Sequence, residues 1–175
     1  MSRRYLIAGN WKMNGSLAAN AELLSALSLR LGHYPDIDML VCPPAVYLES
    51  VERQLGGAVL LGAQNLSEQT KPGAYTGEVL GSMLIELGCR YVIVGHSERR
   101  ALYGEDDVAV ARKFAAAQAS GLIPILCVGE TLEEREQGTT EEVLTRQLGA
   151  VLDASGVGAF TRAVIAYEPV WAIGT

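Results

Sequence analysis

The segment Tyr91-Val-Ile-Val-Gly-His-Ser-Glu-Arg-Arg100 passes from four apolar residues almost directly into a polar run. A short, continuous apolar run rich in β-branched residues is typical of a strand that is buried on both faces of a parallel sheet. Six such runs occur, and helical patterns separate them. They span residues 5–9, 39–42, 59–63, 91–94, 123–128 and 164–167. The chain therefore predicts an α/β fold.

Five helical patterns lie between the predicted strands, each with apolar residues on one face at the spacing of an α-helix. These faces are Leu24, Leu27 and Leu31; Leu48, Val51 and Leu55; Leu80, Leu84 and Leu87; Val108, Ala111 and Ala115; and Leu144, Leu148 and Val151. Pro44 fits the first turn of the second helix, and Gly88 and Gly121 fit the positions after the third and fourth. Thr139 and Glu142 form a predicted capping box at the start of the fifth.

The predicted order is a strand and a helix repeated five times, followed by a sixth strand. Successive strands are far enough apart for a crossover through a helix to a parallel neighbour. Six parallel strands fit either a doubly wound open sheet or most of an eight-fold barrel, and periodicity does not decide between them. Neither of the two glycine-rich nucleotide-binding fingerprints is present. We expect a single domain over residues 1–175.

Composition argues against several classes of partner. The 175 residues are 49% hydrophobic and carry a net charge of −6, which favours a large core and disfavours nucleic acid or a membrane surface as the main partner. No apolar run is long enough for a membrane span or a signal peptide. Because Cys42, Cys89 and Cys127 form no Cys-x-x-Cys pair, we expect reduced, buried thiols and a cytoplasmic location.

The connection from Gln64 to Gly77 is long and has no periodic pattern. Loops of this length are uncommon in compact domains and are usually functional. Its centre, Lys71-Pro-Gly-Ala-Tyr-Thr-Gly77, combines turn residues with one aromatic side chain. An unstructured surface excursion is one interpretation, and a loop that docks onto another surface is the one that we favour.

Polar residues follow three predicted strands at the point where each strand ends. They are Asn10 and Lys12 after the first, His96 after the fourth and Glu168 after the sixth. In parallel α/β folds these strand ends share one face of the sheet, where ligand sites form. Because side chains alternate along a strand, we expect Asn10 and Lys12 on the same side. Each residue alone also fits a structural role, but together they predict a polar site.

These residues supply the groups that proton abstraction next to a carbonyl requires. Glu168 has apolar neighbours, and partial desolvation suits a carboxylate that acts as a general base. The polar run after His96 predicts a helix start, whose N-terminus disfavours the imidazolium and keeps the ring a neutral proton donor. His96 and Lys12 would stabilise an enolate oxygen. We expect no metal, because neither histidine has the spacing of a metal site, and no cofactor. No nucleophile–base motif is visible, so the set of residues suits proton abstraction.

Four segments resemble the signature segments of the triosephosphate isomerase family, in that family's order. They are Gly9-Asn-Trp-Lys-Met-Asn-Gly15, residues 91–100, Cys127-Val-Gly-Glu130 and Ala166-Tyr-Glu-Pro-Val-Trp-Ala-Ile-Gly-Thr175. The resemblance runs from end to end of the chain. It implies an eight-fold β/α barrel, the TIM barrel, and the interconversion of dihydroxyacetone phosphate and D-glyceraldehyde 3-phosphate through an enediolate.

The same resemblance implies catalytic roles. Glu168 would be the base that moves a proton between carbons one and two, and His96 the neutral electrophile. Lys12 and Asn10 would bind and polarise the substrate, and Glu98 would position Lys12. Ser97 and Gly174 would also bind substrate, and residues 169–175 match the first part of a lid over the site.

The resemblance also implies an assembly. Loop 64–77 is similar to the arm that inserts into a second subunit, so Tyr75, Thr76 and Gly77 would be dimer contacts, with Thr76 near the partner's Asn10. A barrel of this kind has about 250 residues, so about 75 residues with strands seven and eight are expected beyond these 175. We expect the 175 residues alone to have little activity. The alternative is a non-catalytic fragment that assembles with a complementary or identical chain.

Overall fold

Six parallel strands form one sheet in the residues that the structure, a computed structural model, describes, namely 4–31, 34, 36–57 and 59–172. The strands are β1 (Tyr5–Asn10), β2 (Ile37–Cys42), β3 (Leu60–Ala63), β4 (Cys89–Val94), β5 (Ile123–Val128) and β6 (Val164–Tyr167). All six predicted strands are confirmed, each to within about two residues at either end. The continuous apolar runs of the inner strands β2 to β5 are largely buried, as in a sheet covered on both faces, whereas β1 and β6 are partly exposed.

The strands lie side by side in chain order, from β1 to β6, and each neighbouring pair is parallel. In a doubly wound sheet the order reverses, so the first strand lies inside the sheet. Here the order runs in one direction, as in a barrel. Within the described residues β1 and β6 each pair on one side only. The fold is an open half-barrel, which decides between the two predicted architectures.

Helices connect the strands. The described ranges contain α1 (Leu17–Leu31), α2 (Leu48–Leu55), α3 (Gly81–Glu86), α4 (Ser97–Tyr103), α5 (Asp107–Ala119), α6 (Leu132–Glu136) and α7 (Thr140–Ser155), with 3₁₀ turns at Ala45–Tyr47, Val157–Arg162 and Val170–Ala172. The predicted number of five helices was wrong, since α4 and α6 are additional. Their seven and five residues are too few to show an apolar period.

The predicted apolar face of α5 was wrong at two of its three residues, since only Ala111 is buried in the core. Val108 and Ala115 are exposed, whereas Val110, Phe114 and Ala117 are fully buried. Alanine is common on every side of this helix, so the sequence does not distinguish the faces until Phe114 is placed in the core. The predicted faces of α2, α3 and α7 do pack on the core. So do the first two leucines of the α1 face, whereas the side chain of Leu31 lies outside the described residues.

The predicted helix ends are partly confirmed. Gly88 and Gly121 follow α3 and α5 with φ of +84° and +92°, a conformation that glycine adopts without strain. Pro44 precedes the 3₁₀ turn that leads into α2 and does not lie in the helix. The capping box was misplaced, because Thr139 donates its hydroxyl to a carbonyl of α6. The capping box is formed at α6 instead, by Thr131 and Glu134.

Two apolar clusters lie on the two faces of the sheet. The larger lies between the strands and the helices. The smaller consists of strand residues on the other, concave face: Leu40, Cys42, Ile93, Ile125 and Cys127, with partly buried neighbours from β1 and β6. The three cysteines are free and buried, as expected. The small cluster lines the concave face along the strands, and the polar residues follow at the carboxyl ends of those strands.

Candidate active site

Side chains from three separate strand ends meet in a chain of contacts. Lys12 Nζ lies 2.8 Å from Glu98 Oε1, and Glu98 Oε2 lies 3.6 Å from His96 Nδ1. The other nitrogen of the ring, His96 Nε2, lies 3.6 Å from Glu168 Oε2. The residues come from the ends of β1, β4 and β6. The structure thus brings a base, an imidazole and an ammonium, far apart in sequence, to one rim of the sheet.

The tautomer of His96 follows from its local geometry. His96 is buried and is the N-cap residue of α4, where the backbone N–H of Glu98 donates to its Nδ1 at 3.2 Å. A ring nitrogen that accepts this bond carries no proton, so the neutral ring holds its proton on Nε2. That N–H points towards Glu168 Oε2. His96 is therefore built to donate a hydrogen bond into the site.

A strained turn, and not strand alternation, places Lys12. β1 ends at Asn10, and Lys12 has φ of +51°, alone among the described non-glycine residues in being positive. Asn10 Oδ1 accepts from the backbone N–H of Lys12 at 2.9 Å. Gln64 Nε2 donates to the carbonyls of Lys12 and Cys42, each at 2.8 Å. These side chains hold a left-handed backbone that would otherwise cost free energy.

Glu98 links Lys12 to His96 and remains ionised. Its hydrogen bond to Lys12 holds the pKa of the Glu98 carboxyl below its usual value of 4.5, against a smaller opposing effect of burial. Both side chains of the Lys12 pair are partly exposed, so the pair adds little to stability. Its consequence is positional, because it fixes the ammonium beside the imidazole.

Glu168 is held at its backbone by the neighbouring strand. Its N–H donates to Val128 O at 2.8 Å, and a Cβ at Gly129 would lie only 2.0 Å from the carbonyl oxygen of Glu168. Its Oε2 is buried and has no hydrogen-bond partner among the described residues, which leaves that oxygen free to accept a proton. Burial, and then the Glu168 carboxylate, raise the pKa of the Cys127 thiol, so Cys127 is a neutral neighbour.

Glu130 was quoted from the sequence only as part of a signature segment, yet it organises the chain around Glu168. Its side chain is 0% exposed and accepts from Tyr167 Oη at 3.0 Å and from Trp171 Nε1 at 3.2 Å, with Arg135 Nη1 at 3.5 Å. Burial acts to raise the pKa of Glu130, but these donors and its own backbone outweigh it and lower the pKa. Its partners lie on both sides of Glu168, so Glu130 anchors that segment.

A cavity of about 320 Å³ adjoins the base. Ser97, at the start of α4, lines it together with Glu168, Cys127, Gly129 and Gln147. Ser97 and Glu168 thus border the same cavity, whereas Asn10, Lys12 and His96 do not line it. Gly174 lies outside the described residues, as does the end of the predicted lid; the described residues 170–172 form a 3₁₀ turn.

The predicted dimer contacts lie elsewhere. Tyr75, Thr76 and Gly77 occupy the exposed tip of an irregular connection between β3 and α3. The base of this loop is fixed by Ser67 N–H to Val79 O at 2.8 Å and by Lys113 Nζ to Asn65 Oδ1 at 2.7 Å. The loop is thus anchored at its base, while its tip is presented to solvent.

In the part of the chain that the structure describes, no group of three or more His, Cys, Asp or Glu side chains is arranged to hold a metal ion. None of the helices in the same ranges has the length and apolar character that crossing a membrane would require.

Comparison with known proteins identifies the family. The sequence profile of triosephosphate isomerase matches residues 5–175. The chain is 61% identical over 174 residues to the triosephosphate isomerase of Thiobacillus denitrificans, covering 99% of this chain and 68% of that protein. The chain belongs to the triosephosphate isomerase family. Its homologues of the same name from Alcanivorax borkumensis and Dechloromonas aromatica are 57% and 58% identical, and the chain covers 69% of each.

Membership of the triosephosphate isomerase family agrees with the open half-barrel. The chain is a homologue of a glycolytic isomerase and aligns with somewhat more than two thirds of its relatives' length. Sequence reasoning missed Gln64 and Gln147, because a glutamine in a loop or a helix gives no sign of its tertiary partner. The capping-box error at Thr139 has the same origin, since the competing carbonyl belongs to another helix.

Proposed function

We propose that this chain provides the proton-transfer site of a triosephosphate isomerase, which interconverts dihydroxyacetone phosphate and D-glyceraldehyde 3-phosphate. The observation that carries the proposal is the contact chain from Lys12 through Glu98 and His96 to Glu168. It unites an acceptor, a neutral donor and a cation, which is what removal of a proton next to a carbonyl requires.

The proposed reaction has two proton transfers. Glu168 removes a proton from carbon one of dihydroxyacetone phosphate, and the electron pair moves to the oxygen on carbon two. His96 Nε2–H donates to that oxygen and Lys12 stabilises its developing charge. Glu168 then returns the proton to carbon two while His96 moves a proton between the two oxygens, which gives the aldehyde. No atom is lost, so the reaction is an isomerisation.

Supporting residues extend this proposal. Asn10 holds the Lys12 turn through its side chain, and its position at the end of β1 suits a contact with the substrate. Ser97 lines the cavity beside Glu168. We propose that both bind substrate together with Gly174, and that Glu98 acts by positioning Lys12.

The proposed partner is a second copy of the chain. The tip residues Tyr75, Thr76 and Gly77 are exposed although the base of their loop is fixed. An anchored loop with an exposed tip suits insertion into another subunit. Three free, buried cysteines fit a reducing, cytoplasmic setting.

An isomerase assay tests the proposal. Dihydroxyacetone phosphate is supplied to the complete product of the gene, and glyceraldehyde 3-phosphate formation is coupled to a dehydrogenase. We expect turnover of the phosphorylated substrate, and much less activity from the 175 residues alone, because binding energy from the phosphate helps to fix the substrate for reaction. Absence of turnover by the complete product would overturn the proposed function.

A second candidate function is that of a non-catalytic piece that assembles with another chain. Two apolar surfaces favour it. On β1, Tyr5 and Ile7 are 78% and 56% exposed, and on β6, Ile165 and Tyr167 are 51% and 49% exposed. These side chains lie on the face of each edge strand where helices cover the inner strands, and unpaired strand edges invite pairing.

A further inference from the structure

Gln147 is a buried amide in the middle of α7, with only 5% of its surface exposed. Both polar groups of its side chain form hydrogen bonds with the same residue. Gln147 Oε1 accepts from the N–H of Gly129 at 2.9 Å, and Nε2 donates to the carbonyl of Gly129 at 3.1 Å. In an antiparallel sheet, a neighbouring strand makes this pair of bonds to one residue. The side chain of Gln147 therefore takes the place of a neighbouring strand for Gly129, just after the end of β5.

Gly129 is the point against which the backbone of Glu168 rests. The register of β5 and β6 ends at Val128 opposite Tyr167. Beyond it, Glu168 N–H reaches Val128 O at 2.8 Å and Val170 N–H reaches Glu130 O at 2.9 Å. The Glu168 peptide spans Gly129 so closely that a Cβ there would overlap its carbonyl oxygen. A shift of Gly129 therefore moves Glu168.

Gly129 borders the cavity beside Glu168, so the two hydrogen bonds with Gln147 are needed to hold it in place. Gln147, Gly129 and Glu168 all line this space of about 320 Å³. A close-packed neighbour would hold Gly129 by contact alone, but on this side there is room for it to move. The two hydrogen bonds between Gln147 and Gly129 restrain the Gly129 backbone where packing does not.

We propose that Gln147 is a positioning residue that sets the distance between the Glu168 carboxylate and His96 by fixing the backbone of Gly129. The inference rests on the proposed isomerase function. The hydrogen bonds of the Gln147 side chain go to Gly129, so its effect on Glu168 passes through Gly129. Because Asn10 and Lys12 lie at and just after the end of β1, away from Gly129, loss of the two hydrogen bonds from Gln147 to Gly129 should impair proton transfer more than substrate binding.

Two variants and a matched control test this role. Gln147→Leu removes both hydrogen bonds at similar volume, and Gln147→Glu keeps the shape but cannot donate to Gly129. The control is Gln118→Leu. Gln118, on α5, also donates to two backbone carbonyls, those of Ala159 at 2.7 Å and Arg162 at 3.2 Å, but before the start of β6.

The variants are made in the complete gene product, and two readouts are taken. We expect Gln147→Leu to lower kcat by roughly 10- to 100-fold, as for misplacement of a reacting group by about 1 Å, while KM for dihydroxyacetone phosphate stays within about threefold. In amide hydrogen exchange, the Glu168 and Val170 amides should exchange at least about tenfold faster, because their local structure opens more easily. Gln118→Leu should change neither.

The two readouts separate this proposal from the function on which it rests. Unchanged exchange at both amides, or an equal fall in kcat for Gln118→Leu, would overturn the positioning role. If the unmodified protein shows no isomerisation, the proposed function fails, and the exchange measurement alone decides whether Gln147 fixes this segment. If Gln147→Leu does not fold, Gln147→Glu decides by the same criteria.

Discussion

Glu98 lies between the ammonium of Lys12 and the imidazole of His96, and its ion pair with Lys12 depends on the charge of its carboxylate. The main cause of its lowered pKa is the hydrogen bond from Lys12. A carboxyl with a lowered pKa in the folded protein contributes stability above its unfolded value, near 4.5, and loses it as the pH falls through the folded value. The contact between Lys12 and Glu98 should therefore persist at neutral pH and be lost only in acid below pH 4.5.

Replacement of Lys12 by methionine tests this assignment. Lys12→Met removes the donor while it keeps most of the side-chain volume, so the pKa of Glu98 should rise back towards its ordinary value. The measurement is a ¹³C NMR titration of the Glu98 side-chain carboxyl in both proteins. An unchanged titration midpoint would mean that Lys12 is not the cause.

At the same scale, the sequence identified the strand-end residues but not their supports. His96 and Glu168 stand out because each follows an apolar run at a strand end. Gln64 and Glu130 do not stand out, since their hydrogen-bond partners are distant in the sequence. Lys12 was expected on the correct rim for the wrong reason. Strand β1 ends at Asn10, and the backbone N–H of Lys12 donates to Asn10 Oδ1 in a turn, so side-chain alternation does not apply there.

At the scale of elements, helix ends depend on local hydrogen bonds that the sequence reveals only in part. The acidic start of α5 is one that can be tested. Asp106 is its N-cap, and Asp106 Oδ1 accepts from the N–H of Ala109 at 2.7 Å. Asp106→Ala should lower the free energy of unfolding by about 1 kcal/mol, measured by urea denaturation.

The matched control is Glu22→Ala, an exposed acidic position in the interior of α1. Surface changes away from caps usually stay within about 0.5 kcal/mol. An equal loss of stability in both variants would show that general charge removal, and not capping, is responsible.

The six strands were predictable because each carries a continuous apolar run. The short helices α4 and α6 were not, because they are held by their caps and hydrogen-bond partners and show no apolar period.

At the scale of the molecule, apolar runs predicted parallel strands but not their order. Strand order depends on pairing between distant segments, which periodicity does not encode. The observed order from β1 to β6 leaves two edge strands. Their exposed apolar residues have the character of an interface.

The edge strands give an expected behaviour for the 175 residues in isolation. The 175-residue chain should self-associate as its concentration rises. The double variant Ile7→Lys with Ile165→Lys should self-associate less, because charges on edge strands oppose pairing. Sedimentation velocity measures this. Val157→Lys is the control, since Val157 is also an exposed apolar residue (78%) but lies before β6. A wild-type chain that stays monomeric and unfolds cooperatively would argue against the assembly function.

The convergence of three strand ends into one proton-transfer site is tested most directly at Glu168. The turnover of dihydroxyacetone phosphate is compared in the unmodified gene product, in Glu168→Gln and in the exposed control Glu86→Gln at the end of α3. Removal of the general base should lower kcat by about 10²- to 10⁴-fold, with the control unchanged. A loss of less than about tenfold in Glu168→Gln would contradict the account, because general-base catalysis contributes more than that.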